Sequence, residues 1–142
     1  MITDESATGV ESDGWRGVLQ SCDFVIDTTR GNYVHFQIGG GPHAIPTGSY
    51  TSIQSNWAGL TLEEDFGSGY KVLRSQTGSL PPDDRFKAAS WSVSDLNGEK
   101  VHLRIYDTHS GQWGHTAVDS IIVPTAGCQT GTMQKLYCLY CL

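Results

Sequence analysis

The residue types that can do chemistry crowd into one stretch. Between Arg104 and Val123 the chain reads R-I-Y-D-T-H-S-G-Q-W-G-H-T-A-V-D-S-I-I-V, which brings Asp107, His109, Trp113, His115 and Asp119 close together. Two carboxylates and two imidazoles could hold a divalent metal. The HxH and HExxH spacings that suit zinc do not occur here. A loop punctuated by Gly111 and Gly114 also does not preset tetrahedral geometry. Calcium, taken as a structural ion by Asp carboxylates and loop carbonyls, suits these residue types better. The other chemistry open to them is sugar recognition: an indole face packs on a sugar ring while Asp and His groups pair with its hydroxyls. The plainer role for Trp113 is to cover the end of the core, with His115 donating to a loop carbonyl. The two roles overlap, because one side of such a ring can pack while the other binds.

Asp119 stands in an apolar run, between Val118 and Ser120-Ile121-Ile122. A carboxylate buried there without a partner costs several kcal/mol, so the sequence predicts pairing with Arg74, Arg104 or a loop N–H. Arg74 interrupts the face expected for Tyr70 and Val72, which suggests an ion pair or a ligand contact. Ser110 lies near His109 and Asp107, but three groups in one short loop cannot reproduce the geometry of nucleophile, base and orienting acid. Nor does the sequence place the opposed carboxylate pair that glycoside cleavage needs. The expectation is a protein that is not an enzyme.

These residues need rigid strands on either side. Tyr33-Val34-His35-Phe36-Gln37-Ile38 alternates cleanly, with Val34, Phe36 and Ile38 on one face. It is expected to pair with the short Phe24-Val25-Ile26 strand across the hydrophilic turn 27–32. The run Gly39-Gly40-Gly41 ends it abruptly, which predicts close backbone approach or positive φ rather than a phosphate loop. Leu60-Thr61-Leu62 and Tyr70 to Ser75 read as a hairpin, with Glu63-Glu64-Asp65 as a solvated acidic turn; metal or sugar binding by these acids is the lesser alternative. Tyr50, Ile53 and Trp57 are candidate anchors in the turn-rich stretch before it. Gly78 to Lys87 reads as a loop and Phe86 to Val93 as extended, Trp91 and Val93 sharing a face. Asn97-Gly98 predicts a hairpin turn into Val101 to Asp107, which buries Val101, Leu103 and Ile105 and turns His102, Arg104 and Tyr106 outward. Ala117 to Val123 closes the sheet. Many short strands with no helical periodicity predict an all-β, two-sheet antiparallel β-sandwich of jelly-roll, galactose-binding-like type over residues 15–124. Residues 1–14 read as a flexible lead-in beginning before Trp15, and 125–142 as an atypical tail.

Composition narrows the partners. With 17 Gly among 142 residues, turns are frequent. Nine Lys and Arg against fifteen Asp and Glu leave a net charge of -6, which repels nucleic acid and anionic lipid. No apolar stretch is long enough to insert in a membrane. The opening M-I-T-D-E-S-A-T-G has no signal-peptide character, so if the protein is secreted its export signal is expected to belong to a longer parent or to have been removed. The four cysteines, Cys22, Cys128, Cys138 and Cys141, allow three complete pairings, and spacing selects none.

Five segments, in order, resemble a known module: G-V-L-Q-S-C-D-F-V-I (17–26), Y-V-H-F-Q-I-G-G-G (33–41), V-L-R-S-Q-T-G (72–78), W-S-V-S-D-L-N-G (91–98) and I-Y-D-T-H-S-G-Q-W-G-H-T-A-V-D-S-I (105–121). Together they are similar to the β-sandwich module that accompanies levanase-like and invertase-like fructan hydrolases, carbohydrate-binding module family 66. The resemblance implies an extracellular, non-catalytic domain that binds a polysaccharide or oligosaccharide through its terminal fructoside. It also implies a catalytic glycoside hydrolase domain in a longer parent. The pocket candidates it implies are Arg74, Asp107, Trp113, His115 and Asp119. The chain departs from the pattern at three points: Ile105 stands where an acid is common, S-C-D-F replaces S-P-P-F at the start of a strand, and an additional N-terminal segment is missing. The alternative is a structural or protein-interaction sandwich without a sugar pocket.

Overall fold

A computed structural model describes residues 17–79 and 82–128. The lead-in 1–14, Trp15 and most of the expected tail, residues 129–142 with Cys138 and Cys141, lie outside these residues. The described chain is an all-β sandwich of two antiparallel sheets. Its strands are β1 (Gly17–Gln20), β2 (Phe24–Val25), β3 (Tyr33–Gly40), β4 (Ser49–Tyr50), β5 (Ala58–Asp65), β6 (Tyr70–Gln76), β7 (Asp83–Ser92), β8 (Lys100–Asp107) and β9 (Thr116–Ile122). One sheet has the order β1-β8-β5-β6-β4, with β2 also against β8; the other is β7-β3-β9.

Alternation explains the core. Val34, Phe36 and Ile38 of β3 pack with Trp91 against Leu60 and Leu62 of β5 and against Val101, Leu103 and Ile105 of β8. The Phe36 and Trp91 rings meet at 4.7 Å. Tyr33, His35 and Gln37 are exposed, as period two requires.

Three expected connections are different in the structure. Strands β2 and β3 do not pair with each other. Phe24 pairs with Val101 in the large sheet, while β3 pairs with β7 and β9. The turn at Asn97-Gly98 has Gly98 at φ 83°, but it carries the chain from one sheet to the other and is not a hairpin. Asn97 instead accepts the Thr28 N–H through its side-chain oxygen. Strand β7 begins at Asp83, inside the stretch expected to be loop. Local turn residues could not reveal these because each depends on which distant strand offers a free edge.

The expected hairpin of β5 and β6 forms, but the acids do not make its turn. Strand β5 continues through Glu63 to Asp65, and Glu63 is fully buried. An irregularity in β6 between the partners of Leu62 and Glu63 sets Val72 opposite Glu63 and Arg74 opposite Leu62. Tyr70 and Val72 are thereby separated from Arg74, which the simple alternation had joined to their face.

Strand β9 has a comparable irregularity. His35 faces Ile122 and Gln37 faces Asp119, so two steps on β3 match three on β9. Ser120, at φ 54°, takes up the extra residue. Val118 and Ile121 can then both enter the core although three positions apart. At Ser21–Asp23, between β1 and β2, Ser21 substitutes its own atoms for a regular ladder. Its N–H donates to the Leu103 carbonyl and its hydroxyl accepts from the Leu103 N–H, both at 2.9 Å.

Cys22 is joined to Cys128 by a disulfide, with Cα atoms 5.7 Å apart and a separation of 106 in sequence. A crosslink closing so long a loop removes much of the entropy of the unfolded chain. Replacing both cysteines with Ser should cost about 3–5 kcal/mol, read as a lower denaturation midpoint at unchanged native circular dichroism.

Candidate functional site

The side of β8 that faces away from the core carries the densest chemistry among the described residues. His102, Arg104 and Tyr106 alternate there, and cross-strand register aligns Glu63 with His102, Thr61 with Arg104, and Gly59 with Tyr106. On the opposite edge of β8, Gln20 pairs with Arg104. These side chains do turn outward, but they are not solvated: Glu63 and Tyr106 are 0% exposed, His102 1% and Arg104 6%. Tyr50 and Tyr70, from the β4 and β6 margin of the sheet, and Trp57, just before β5, form aromatic walls around them. Trp57 meets Tyr50 and Tyr106 edge-on at 5.1 and 5.3 Å. The Arg104 guanidinium lies 3.9 Å over the Tyr70 ring, a cation–π contact in a dehydrated setting.

Glu63 is the centre of this cluster. Its Oε1 accepts from Tyr50 at 2.7 Å and lies 3.2 Å from His102 Nε2. Its Oε2 accepts from Thr61 and Tyr106, both at 2.8 Å, and is also 2.8 Å from the Tyr50 hydroxyl. Arg104 Nε is 3.8 Å from Oε1, and it donates to Gln20 at 2.8 Å. The Tyr50 and Tyr106 hydroxyl oxygens are in direct contact. Arg104 Nη1 reaches both of these hydroxyls, at 3.1 and 3.3 Å. Asp23, half exposed, lies 3.8 Å from His102 Nδ1 on the far side of the ring.

Ionisation follows from these contacts. Burial works to raise the Glu63 pKa, but hydrogen bonds from His102, Tyr50, Thr61 and Tyr106 outweigh it and hold the carboxyl below its ordinary value. Burial, and then the nearby carboxylate, push the Tyr50 phenol up to about 12. Burial, the Tyr50 hydrogen bond and the Glu63 charge raise Tyr106 as well. The cluster therefore carries a fixed negative acceptor, a fixed cation and neutral phenols. That set matches hydroxyl groups, which both donate and accept, and its ring faces suit C–H surface. An added carboxylate or phosphate would meet the charge of Glu63.

The five residues singled out from the sequence fall on β6, on β8, on β9 and on the connection between β8 and β9. Arg74 donates to Asp95 at 2.6 Å and to the Ser92 and Leu73 carbonyls at 3.0 and 2.7 Å. Its partner is therefore Asp95 and not Asp119. Asp107, at the end of β8, is buried and by alternation shares the core-facing side with Ile105. Trp113 and His115 do come together, their rings 5.6 Å apart in the connection to β9. Trp113 holds φ 57°. Asp119 is exposed, and its Oδ1 accepts the Ser120 N–H at 2.7 Å. No buried charged partner meets it among the described residues, because the irregularity at Ser120 turns this acid out of the apolar face.

The glycine run has the architectural role expected of it. A Cβ on Gly40 (φ 112°) would strike the His115 carbonyl, and one on Gly41 would strike the Trp113 carbonyl. Nearby, His43 and His109 stack at 3.8 Å, and the Thr108 and His109 N–H groups donate to the Trp57 carbonyl. The loop after β8 is thus tied by Trp57 to the margin of the Glu63 cluster. Among the described residues no three His, Cys, Asp or Glu side chains group as a metal site, and no helix is long and apolar enough to cross a membrane.

Sequence inspection named Arg104 and Trp57 but missed the roles of Glu63, His102, Tyr106, Tyr50 and Tyr70. One signal was present: a His-Arg-Tyr set on the outward side of a strand whose other side gives Val101, Leu103 and Ile105 to the core. Its acidic partner was hidden in Glu63-Glu64-Asp65, where ordinary turn composition conceals a strand.

No family model matches the chain, and no solved structure gives a significant match. Over 114 residues, 80% of its length, the chain is 30% identical to a protein of Aspergillus rugulosus whose name reads "Putative glycosyl hydrolase ecdE". It spans only 13% of that relative's length. The similarity is therefore to a stretch of a much larger, carbohydrate-related protein.

Two substitutions distinguish the buried acid from the exposed one. Glu63→Ala leaves Arg104 and His102 buried without their carboxylate and should cost about 3–5 kcal/mol. Asp119→Asn should change stability by no more than about 0.5 kcal/mol; equilibrium denaturation measures both. The lowered pKa of Glu63 also sets a pH dependence. The unfolded chain takes up the proton more readily than the folded one, so this contribution is complete above the ordinary value of 4.5 and is lost as pH falls through the folded value. The midpoint of Glu63→Gln should accordingly fall less steeply than wild type as pH drops below 4.5. Asp27 and Asp95, also lowered, contribute to the slope that remains.

Proposed function

We propose that the protein is a non-catalytic carbohydrate-binding module whose sugar site is the outer face of the six-stranded sheet, around Glu63, Arg104, Tyr50 and Tyr70. The observation that carries this reading is the buried carboxylate beside a guanidinium and between phenol rings, on the side of the sheet that faces away from the core. Such a set gives hydroxyls both an acceptor and a donor, and gives a sugar's C–H face an aromatic wall. The small share that the chain spans of its glycosyl hydrolase-named relative supports the role of an accessory module beside a catalytic domain in a longer parent.

The ligand is a neutral polysaccharide or oligosaccharide, with a terminal fructoside as its leading candidate. The resemblance of the 17–41 and 105–121 motifs to fructan-binding modules supports that choice. Non-catalytic action is supported by the ionisation of Glu63: a carboxyl held below its ordinary pKa is a poor proton donor to a leaving oxygen. The Cys22–Cys128 disulfide supports an extracellular, oxidising location.

One observation favours the second reading, a structural or protein-contact sandwich without a pocket. Glu63 already meets Thr61, Tyr106, His102 and Tyr50 within the protein. Calorimetric titration with levan, inulin, fructo-oligosaccharides and fructose separates the two. The sugar reading expects saturable binding that weakens at least tenfold in Tyr70→Ala, with a melting midpoint close to wild type. Absence of saturable binding to every one of these glycans would favour the structural reading. Turnover of a fructoside that Glu63→Gln abolishes would overturn the non-catalytic assignment.

A further inference from the structure

The hydroxyl of Tyr50 sits where three polar groups of the sheet converge. It donates to Glu63, receives Arg104 Nη1 at 3.1 Å, and contacts the Tyr106 hydroxyl. Donating to a carboxylate while accepting from a guanidinium is the bonding pattern of a sugar hydroxyl. Its ring stands between Trp57 and Tyr70, at 5.1 and 5.6 Å, as a pyranose or furanose would stand between aromatic walls.

The other donors to Glu63 come from different ground. Thr61 belongs to β5, and His102 and Tyr106 to β8, the two strands buried at the centre of the sheet. Tyr50 comes from a two-residue strand at the sheet's margin. Every residue from Thr47 to Asn56 is exposed except Tyr50 itself, which is half-buried. The backbone here is tied to β6 by the pairs Ser49–Lys71 and Tyr50–Tyr70 and by the Val72 N–H donated to the Gly48 carbonyl at 2.8 Å. Gly48, at φ 64°, precedes the strand with no atom near where its Cβ would be. Withdrawal of Tyr50 would leave Glu63 with its three central donors and free one acceptor position, together with Arg104 and the Tyr106 hydroxyl.

We propose that Tyr50 is a displaceable internal stand-in for a ligand hydroxyl, so that sugar binding is an exchange in which the ligand replaces the Tyr50 phenol on Glu63 and Arg104. This inference rests on the sugar-site reading and adds to it the chemistry selected: a neutral ligand with a hydroxyl that donates and accepts beside a C–H face. It also makes affinity a difference between two similar sets of contacts. A protein residue competing for the ligand's place lowers the apparent affinity by the fraction of time the place is occupied.

The decisive variant is Tyr50→Phe, which keeps the ring and removes the competing hydroxyl. Titration with levan and fructo-oligosaccharides should show binding at least five-fold tighter than wild type, and Glu63→Gln introduced into Tyr50→Phe should abolish the gain. Equal or weaker binding by Tyr50→Phe would overturn the exchange and make Tyr50 an ordinary wall of the site. A second measurement needs no glycan. Hydrogen–deuterium exchange at the Val72 amide, which holds the Tyr50 segment, should be at least 100-fold faster than at the amides of β5 and β8. Rapid exchange at Val72 supports the displaceable tyrosine whether or not a glycan binds. Exchange at Val72 as slow as in β5 and β8 would overturn it. Failure of every protein to bind these glycans would count against the sugar reading alone.

Discussion

A central strand covered on both sides constrains everything else in this sandwich. Strand β8 gives Val101, Leu103 and Ile105 to the apolar core and, on its other side, buries His102, Arg104 and Tyr106. The first side is stabilised by removal of apolar surface from water. The second removes a cation from water, and a strand so placed is tolerable only if a buried anion meets it. Glu63 is that anion. Its position opposite His102 in the neighbouring strand is thus a requirement of the fold as well as the source of the site's character.

The remaining features accommodate this requirement. The irregularity in β6 brings Val72 opposite Glu63, on the side to which Tyr70 belongs, and leaves Arg74 opposite Leu62. Ser21 interrupts the edge beside β8, and the chain then presents Asp23 to His102. The disulfide of Cys22 is adjacent, so the crosslink to Cys128 steadies the same corner. Trp57 packs against Tyr50 and Tyr106 with its ring, while its carbonyl holds the loop after β8. A second set of close contacts, in which Gly40 and Gly41 admit the carbonyls of His115 and Trp113, locks that loop to the smaller sheet.

The polar cluster lies outside the apolar core yet is nearly as well excluded from water. Low local polarity strengthens each charge-assisted hydrogen bond and raises the cost of leaving one unmade. This explains why so many donors converge on one carboxylate. It also explains why the contribution from a marginal two-residue strand differs in kind from those of the two central strands. The central strands are held by pairing along their whole length, whereas Tyr50 is held at its margin.

The sequence alone determined what depends on neighbours along the chain. Period-two alternation showed which sides of β3 and β8 enter the core, the absence of helical periodicity showed the fold class, and the glycine run announced a close approach of backbones. Partnership between distant segments was decided only by the tertiary structure. Glu63 looked like part of a solvated turn until β5 was laid beside β8. Asp119 looked buried until one extra residue at Ser120 turned it outward. Cys22 had three equivalent partners until folding brought Cys128 to it. The physical reason is the same in each case. Alternation is a property of one strand, but register, strand irregularities and the burial of a polar side depend on which other strand lies alongside, and a side chain's chemistry is set by those neighbours.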